Sequence, residues 1–231
     1  MNPIELPVVE RIMGANDDLA LRNRQTFDAH HVHALNVMSS PGAGKTTLII
    51  RTAQALRSLR SMAVIEGDIA SSVDTEKVRA AGVPAIQINT GGNCHLDAAQ
   101  VQKALGELSL EGVDLLFIEN VGNLICPVAF DLGEHTRVAL ASVPEGDDKP
   151  LKYPGIYTAV DALVITKTDL LPWVPFDLSE FRRLVRSLNP RIRLFEVSCV
   201  TGMGLDEWAQ WLVELTIREC KAPWAETRQI R

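Results

Sequence analysis

No block of like charge runs through this chain of 231 residues. Its 23 Lys and Arg against 29 Asp and Glu leave a formal net charge of −6, so neither nucleic acid nor an anionic membrane is an obvious partner. Long apolar runs are also missing. The longest are strand-sized, which argues against a membrane span. The opening Met1-Asn2-Pro3-Ile4-Glu5-Leu6-Pro7 has no basic stretch followed by an apolar one, and no signal peptide is expected. Cysteine is sparse. Cys94, Cys126, Cys199 and Cys220 share no framework spacing, which sets disulfides aside, suits a cytoplasmic chain and brings metal or catalytic use forward. Internal repeats and low-complexity tracts are absent.

The apolar fraction, 46%, is enough for the core of one α/β domain. Residues 1–33 form a polar, mixed N-terminal helical arm. In it Val8 to Phe27 reads as one helix or a broken pair packed on the domain edge. From Ala34 to Arg231 the pattern is that of a nucleotide-binding domain. Strands are predicted at Ala34–Met38, Met62–Glu66, Ala85–Asn89, Asp114–Glu119, Val138–Val143, Ala162–Thr166 and Arg193–Ser198. Helices are predicted at Lys45–Leu59, Val73–Ala81, Leu96–Leu108, Leu178–Leu188 and Gly204–Cys220. Several strands are apolar almost throughout, as parallel strands covered on both faces are. Alternation of strand and helix predicts a three-layer, doubly wound α/β fold with a mostly parallel sheet. Ligands bind such sheets at the carboxyl ends of the strands.

The first strand runs into Ser39-Ser40-Pro41-Gly42-Ala43-Gly44-Lys45-Thr46-Thr47 and a helix. This is a phosphate-binding P-loop with Ser39 where the first glycine usually stands. Gly42 and Gly44 let backbone N–H groups turn inward, with Ala43 and Thr47 in the same cradle. Lys45 faces the β- and γ-phosphates, and Thr46 offers an oxygen to Mg²⁺. The bland alternative is a glycine turn with an accidental lysine, and lysine is unfavourable at a helix N-terminus.

Ala162–Thr166 leads into Thr166-Lys167-Thr168-Asp169. The pattern resembles the Asn-Lys-x-Asp motif of GTPases, with Thr for Asn. Guanine presents N1–H and N2–H₂ side by side, and the Asp169 carboxylate can accept both while the Lys167 stem covers the ring. Ser198-Cys199-Val200 resembles the loop that closes on the guanine O6. GTP and GDP are therefore expected rather than adenine nucleotides. Asp68 and Glu119, at strand ends beside the P-loop, are the expected Mg²⁺ carboxylates, the alternative being helix or turn caps. With no catalytic glutamine or arginine finger in view, slow intrinsic hydrolysis is expected.

Cys94 and His95 follow the third strand and Cys126 follows the fourth. Taken as neighbours, these strands would bring two thiolates and an imidazole together, a set that suits nickel or zinc and leaves a position open. Burial as small apolar groups is the competing reading, and it is preferred for Cys199 and Cys220.

Glu66-Gly67-Asp68-Ile69, Gly91-Gly92-Asn93-Cys94-His95-Leu96, Glu119-Asn120-Val121-Gly122-Asn123-Leu124-Ile125-Cys126-Pro127, Phe130-Asp131-Leu132-Gly133-Glu134 and Glu145–Pro154 stand in that order. Together they resemble the HypB family of hydrogenase nickel-incorporation GTPases over roughly residues 36–211. The resemblance implies a GTP-dependent homodimer that delivers nickel to the large subunit of [NiFe]-hydrogenase with a small nickel-binding accessory protein. It also implies nickel or zinc on Cys94, His95 and Cys126 at a dimer interface. Relatives often carry a Cys-rich motif or a histidine run before the P-loop. This sequence has His30, His31 and His33 there, read as a polar strand edge or a minor metal site. The Glu145–Pro154 segment reads as a solvated charged loop or as a subunit-contact or switch segment. Two other classes compete: the urease-type nickel GTPases, and P-loop small-molecule kinases, which would need an arginine-rich lid.

Overall fold

Seven strands form one parallel sheet: β1 (His33–Ser39), β2 (Met62–Asp68), β3 (Ala85–Asn89), β4 (Leu115–Glu119), β5 (Thr136–Ser142), β6 (Ala162–Thr166) and β7 (Arg193–Val197). The structure, a computed structural model, describes residues 5–69 and 71–219. The expected helix end at Cys220 lies outside the described residues. The helices are α1 (Glu5–Ala29), α2 (Lys45–Leu56), α3 (Val73–Ala80), α4 (Ala98–Leu105), α5 (Lys149–Lys152), α6 (Pro154–Ala159), α7 (Leu178–Leu188) and α8 (Leu205–Glu219). None of those described is long and apolar enough to cross a membrane.

Strand order is β3-β2-β4-β1-β5-β6-β7. All seven residues of β1 and all five of β4 and β6 are buried, because helices cover both faces and a parallel sheet cannot leave one face wet. Leu48, Leu56, Val78, Trp208 and Leu212 of α2, α3 and α8 close one side. Phe27, Val101 and Ala104 of α1 and α4 cover half of the other, and Ile156, Tyr157, Phe181 and Val185 of α6 and α7 cover the rest. The fold is thus the expected three-layer α/β arrangement.

Helix α1 is unbroken and docks on α4. Asn23 donates to the carbonyls of Ala98 and Leu132 at 2.9 and 3.0 Å, and Phe27 is fully buried. The histidines at its end divide: His33 is buried against the Thr136 hydroxyl, whereas His30 and His31 are exposed. The segment Glu145–Pro154, read either as a solvated charged loop or as a contact or switch segment, is largely helical. Glu145 caps a 3-10 turn through Ser142, and α5 and α6 each open on a proline within the first turn, where its fixed φ suits a helix.

One expectation about strand neighbours fails. The third and fourth strands are not adjacent, because β2 lies between them. The β1–α2–β2 crossover skips one position, and β4 then fills the gap beside β1.

Candidate functional site

The site is assembled at the carboxyl end of the sheet, where the strand order reverses around β1. The loop after β1 turns through Gly42 and Gly44, at φ of +76° and +100°. A Cβ at either position would meet nothing within 4 Å, so glycine is required there by backbone conformation, not by space. Lys45 opens α2 and is buried; its ammonium donates to the Ser39 hydroxyl at 3.2 Å. Ser39, in place of the usual glycine, is thus the lysine's resting partner. Burial lowers the Lys45 pKa, while the carboxylates of Glu119, Asp74, Glu66 and Glu145 act the other way.

Thr46 donates to Oε1 of Glu119 at 2.9 Å. The other Glu119 oxygen is buried with no hydrogen-bond partner. Burial pushes the Glu119 carboxyl up to about 7. A buried carboxylate oxygen without a partner costs on the order of 1–3 kcal/mol, and a hydrated divalent cation beside Thr46 would relieve it. These two residues therefore fit Mg²⁺. Asp68 is placed differently. It accepts the Ser71 N–H at 2.8 Å in the turn after β2, and in the β2–β4 register the residue opposite Glu119 is Glu66. Glu66 is buried, bound by the Thr75 hydroxyl at 2.5 Å, and its pKa is raised chiefly by burial. Sequence reasoning passed over Glu66 and Asp74. A glutamate closing an otherwise apolar strand was the available signal.

The base-side loops lock onto the P-loop. Thr166 donates to the Ala43 carbonyl at 2.7 Å, so its hydroxyl ties the end of β6 to the P-loop. Lys167 holds a left-handed φ of +58° and donates to the Gly42 carbonyl at 2.8 Å. Such a conformation costs about 1–3 kcal/mol in a non-glycine residue and is typical of ligand clamps. Ser198 donates to Asp169 at 2.6 Å and accepts the Thr201 N–H at 3.1 Å, which orients the carboxylate.

Cys94, His95 and Cys126 come together. One ligand atom from each lies within 4.8 Å of the others, and this is the one cluster of the kind among the described residues. Cys94 Sγ is 3.7 Å from His95 Nδ1. The imidazole stacks on Phe130, with centroids 3.9 Å apart, and burial lowers its pKa, which favours the neutral, ligating ring. The Cys94 thiol pKa is raised, first by its hydrogen bond with Cys126. Cys199 stands apart, half-buried against the α2–α8 core as expected.

The loops that carry Cys94 and Cys126 meet across β2 for a specific reason. Leu96 lies over Gly67, where an added Cβ would come within 2.7 Å of the leucine side chain. Any larger residue at position 67 would block the crossing. Burying Leu96 fully contributes about 1.5–3 kcal/mol. Asp97 then caps α4 through Gln100 in a reciprocal box, so this helix begins two residues later than expected. From the other side Asn123 donates to the Cys94 carbonyl at 3.3 Å and accepts the Ile125 N–H at 2.9 Å. Gly122 sits against the P-loop, where a Cβ would come within 2.9 Å of Pro41. One stretch of backbone, Glu119 to Cys126, therefore touches both the phosphate cradle and the thiol cluster.

Sheet order, P-loop and braced base-side loops together define a P-loop nucleotide-binding protein of the α/β class. Residues 33–196 match the family model described as the CobW/HypB/UreG nucleotide-binding domain. The chain is 51% identical to hydrogenase maturation factor HypB of Azotobacter vinelandii over 90% of its length and 68% of that protein. With the HypB of Escherichia coli K12 it shares 46% identity over 92% of its length and 72% of that protein. The crystal structure of HypB from Helicobacter pylori in complex with nickel superposes with a TM-score of 0.86 at 35% identity, covering 94% of this chain and all of that one. HypB from Archaeoglobus fulgidus gives 0.82 at 40% identity, covering 88% and 99%. The chain belongs to the HypB hydrogenase maturation factors, a P-loop GTPase family.

Proposed function

We propose that this chain is a GTP-hydrolysing metallochaperone that delivers nickel during maturation of [NiFe]-hydrogenase, with metal affinity and dimerisation coupled to nucleotide state. The observation that carries the reading is the shared loop. Glu119 faces the phosphate cradle, Gly122 abuts Pro41, and Cys126 joins Cys94 and His95. Loss of a γ-phosphate would move Glu119 to Gly122 and with them the thiols.

In this reading Lys45 and the loop from Gly42 to Thr47 bind the phosphates, while Thr46 and Glu119 hold Mg²⁺, with Asp68 reaching it once the β2–α3 turn rearranges. Mg²⁺ held there would supply positive charge against the developing charge on the phosphates. Lys167, Asp169 and Ser198 bind guanine. Nickel, or zinc in its place, is cargo on Cys94, His95 and Cys126. Three ligands leave one position for water or for a donor from a second copy, which is how a homodimer would complete the shell. The small nickel-binding accessory protein and the hydrogenase large subunit are the expected partners, in the cytoplasm. A kinase reading finds no support: the paired arginines of α7 are engaged with Glu196 and Glu180 instead of forming a lid.

With no catalytic glutamine or arginine finger legible in the sequence, the isolated chain should turn over GTP slowly, below ~1 s⁻¹, the low end of ordinary enzyme turnover. Phosphate release measured with and without nickel checks this, and fast turnover by the monomer would contradict it. In the same assay Asp169→Asn should move the preference from guanine to xanthine triphosphate, since an amide donates to the carbonyl that replaces the amino group.

A further inference from the structure

Asn120 is the residue after Glu119 and is buried, with 1% of its surface exposed. Its side chain joins three segments. Nδ2 donates to Asn36 Oδ1 at 3.1 Å, in the strand that carries the P-loop. Oδ1 accepts the Val121 N–H at 3.0 Å in its own loop and the Leu96 N–H at 3.1 Å. Leu96 directly follows the ligand His95. Asn36 reaches onward to Glu134 at 3.5 Å, and Glu134 is held by Arg137 Nε at 2.5 Å and by the Leu132 N–H at 2.8 Å. Among the described residues the amide is thus the one side chain whose hydrogen bonds join the loop after Glu119, the P-loop strand and the loop carrying Cys94 and His95. Apolar residues cannot replace it, because two buried backbone N–H groups would lose their acceptor.

We propose that Asn120 is the positioning residue that carries nucleotide state to the metal loop. When Glu119 shifts with the γ-phosphate, the Asn120 carbonyl moves with it and draws the Leu96 N–H, and so His95 and Cys94, towards or away from Cys126. This rests on the reading of the site as nucleotide-coupled metal delivery. Asn123 holds the same loops from the outer side, but it is only part-buried and makes no bond to the P-loop strand.

The test is equilibrium nickel binding to the full chain with a non-hydrolysable GTP analogue or with GDP. Wild-type affinities in the two forms are expected to differ by at least about fivefold, the lower end of ordinary coupling. In Asn120→Ala the two should agree within about twofold while both nucleotides still bind. Asn120→Asp keeps an acceptor for both N–H groups but loses the Nδ2 donor to Asn36, so it should retain part of the difference. A purely structural role would lower thermal stability in both variants and leave the ratio alone. Should Asn120→Ala not fold, exchange of the Leu96 amide proton in the wild type decides, since its protection should differ between the two nucleotide forms. A full ratio in Asn120→Ala, or equal Leu96 protection in both forms, overturns the assignment of Asn120 and leaves metal delivery standing. No difference in the wild type itself removes the delivery reading, and this proposal with it.

Discussion

Replacing Lys45 with alanine is expected to lower GTP affinity by about 10²- to 10³-fold or more, the cost of truncating one partner of a buried charge pair, on the order of 3–5 kcal/mol. The ammonium is buried at the head of α2, and its neighbours are Ser39 and a set of carboxylates led by Glu119. Without it those carboxylates lose their counter-charge and repel a triphosphate. Magnesium lessens this repulsion but does not supply the hydrogen bonds to the phosphate oxygens. Titration with a fluorescent GTP analogue measures the loss. A helical circular dichroism spectrum like the wild type's shows that the fold has survived. Unchanged affinity would remove the phosphate cradle from the account.

The second large effect concerns the thiols. Cys94→Ser and Cys126→Ser are each expected to weaken nickel binding by about 10²- to 10³-fold, roughly one ligand's share of the binding energy of a thiolate-rich site. A serine hydroxyl is a harder and far less acidic donor than a thiol. Cys199→Ser supplies the control, because Cys199 packs against the core away from the cluster and should leave affinity unchanged. Binding should also tighten as pH rises, since Cys94 must lose its proton and its pKa is raised by the hydrogen bond with Cys126. Competition against a chromophoric chelator provides the affinities. Equal binding by Cys126→Ser and wild type would mean that the cluster is not where nickel sits.

Much of the fold was legible because its signals are local. Ala85–Asn89, Ala162–Thr166 and Leu178–Leu188 have the bounds expected from their apolar patterns. The P-loop was legible for the same reason, its glycines standing where a left-handed backbone demands them. Strand order was not, since nothing in β2, β3 or β4 alone says which skips a place. Yet the trace of that order lay in one residue, Gly67, whose missing side chain lets Leu96 cross β2. The helices between Glu145 and Ala159 escaped because four to six residues are too few to show a period. Substituted motif positions were harder still. That Thr166 would brace Ala43, or Ser39 receive Lys45, depends on distances that only packing sets.

Glu119 and Cys126 lie seven residues apart on one loop, and that loop presses on Pro41 at one end and on the Cys94 carbonyl at the other. Nickel affinity of the wild-type chain, read at equilibrium first with a GTP analogue and Mg²⁺ and then with GDP and Mg²⁺, tests that connection most directly. The account predicts two distinct dissociation constants. A single constant, indifferent to the terminal phosphate, would contradict it.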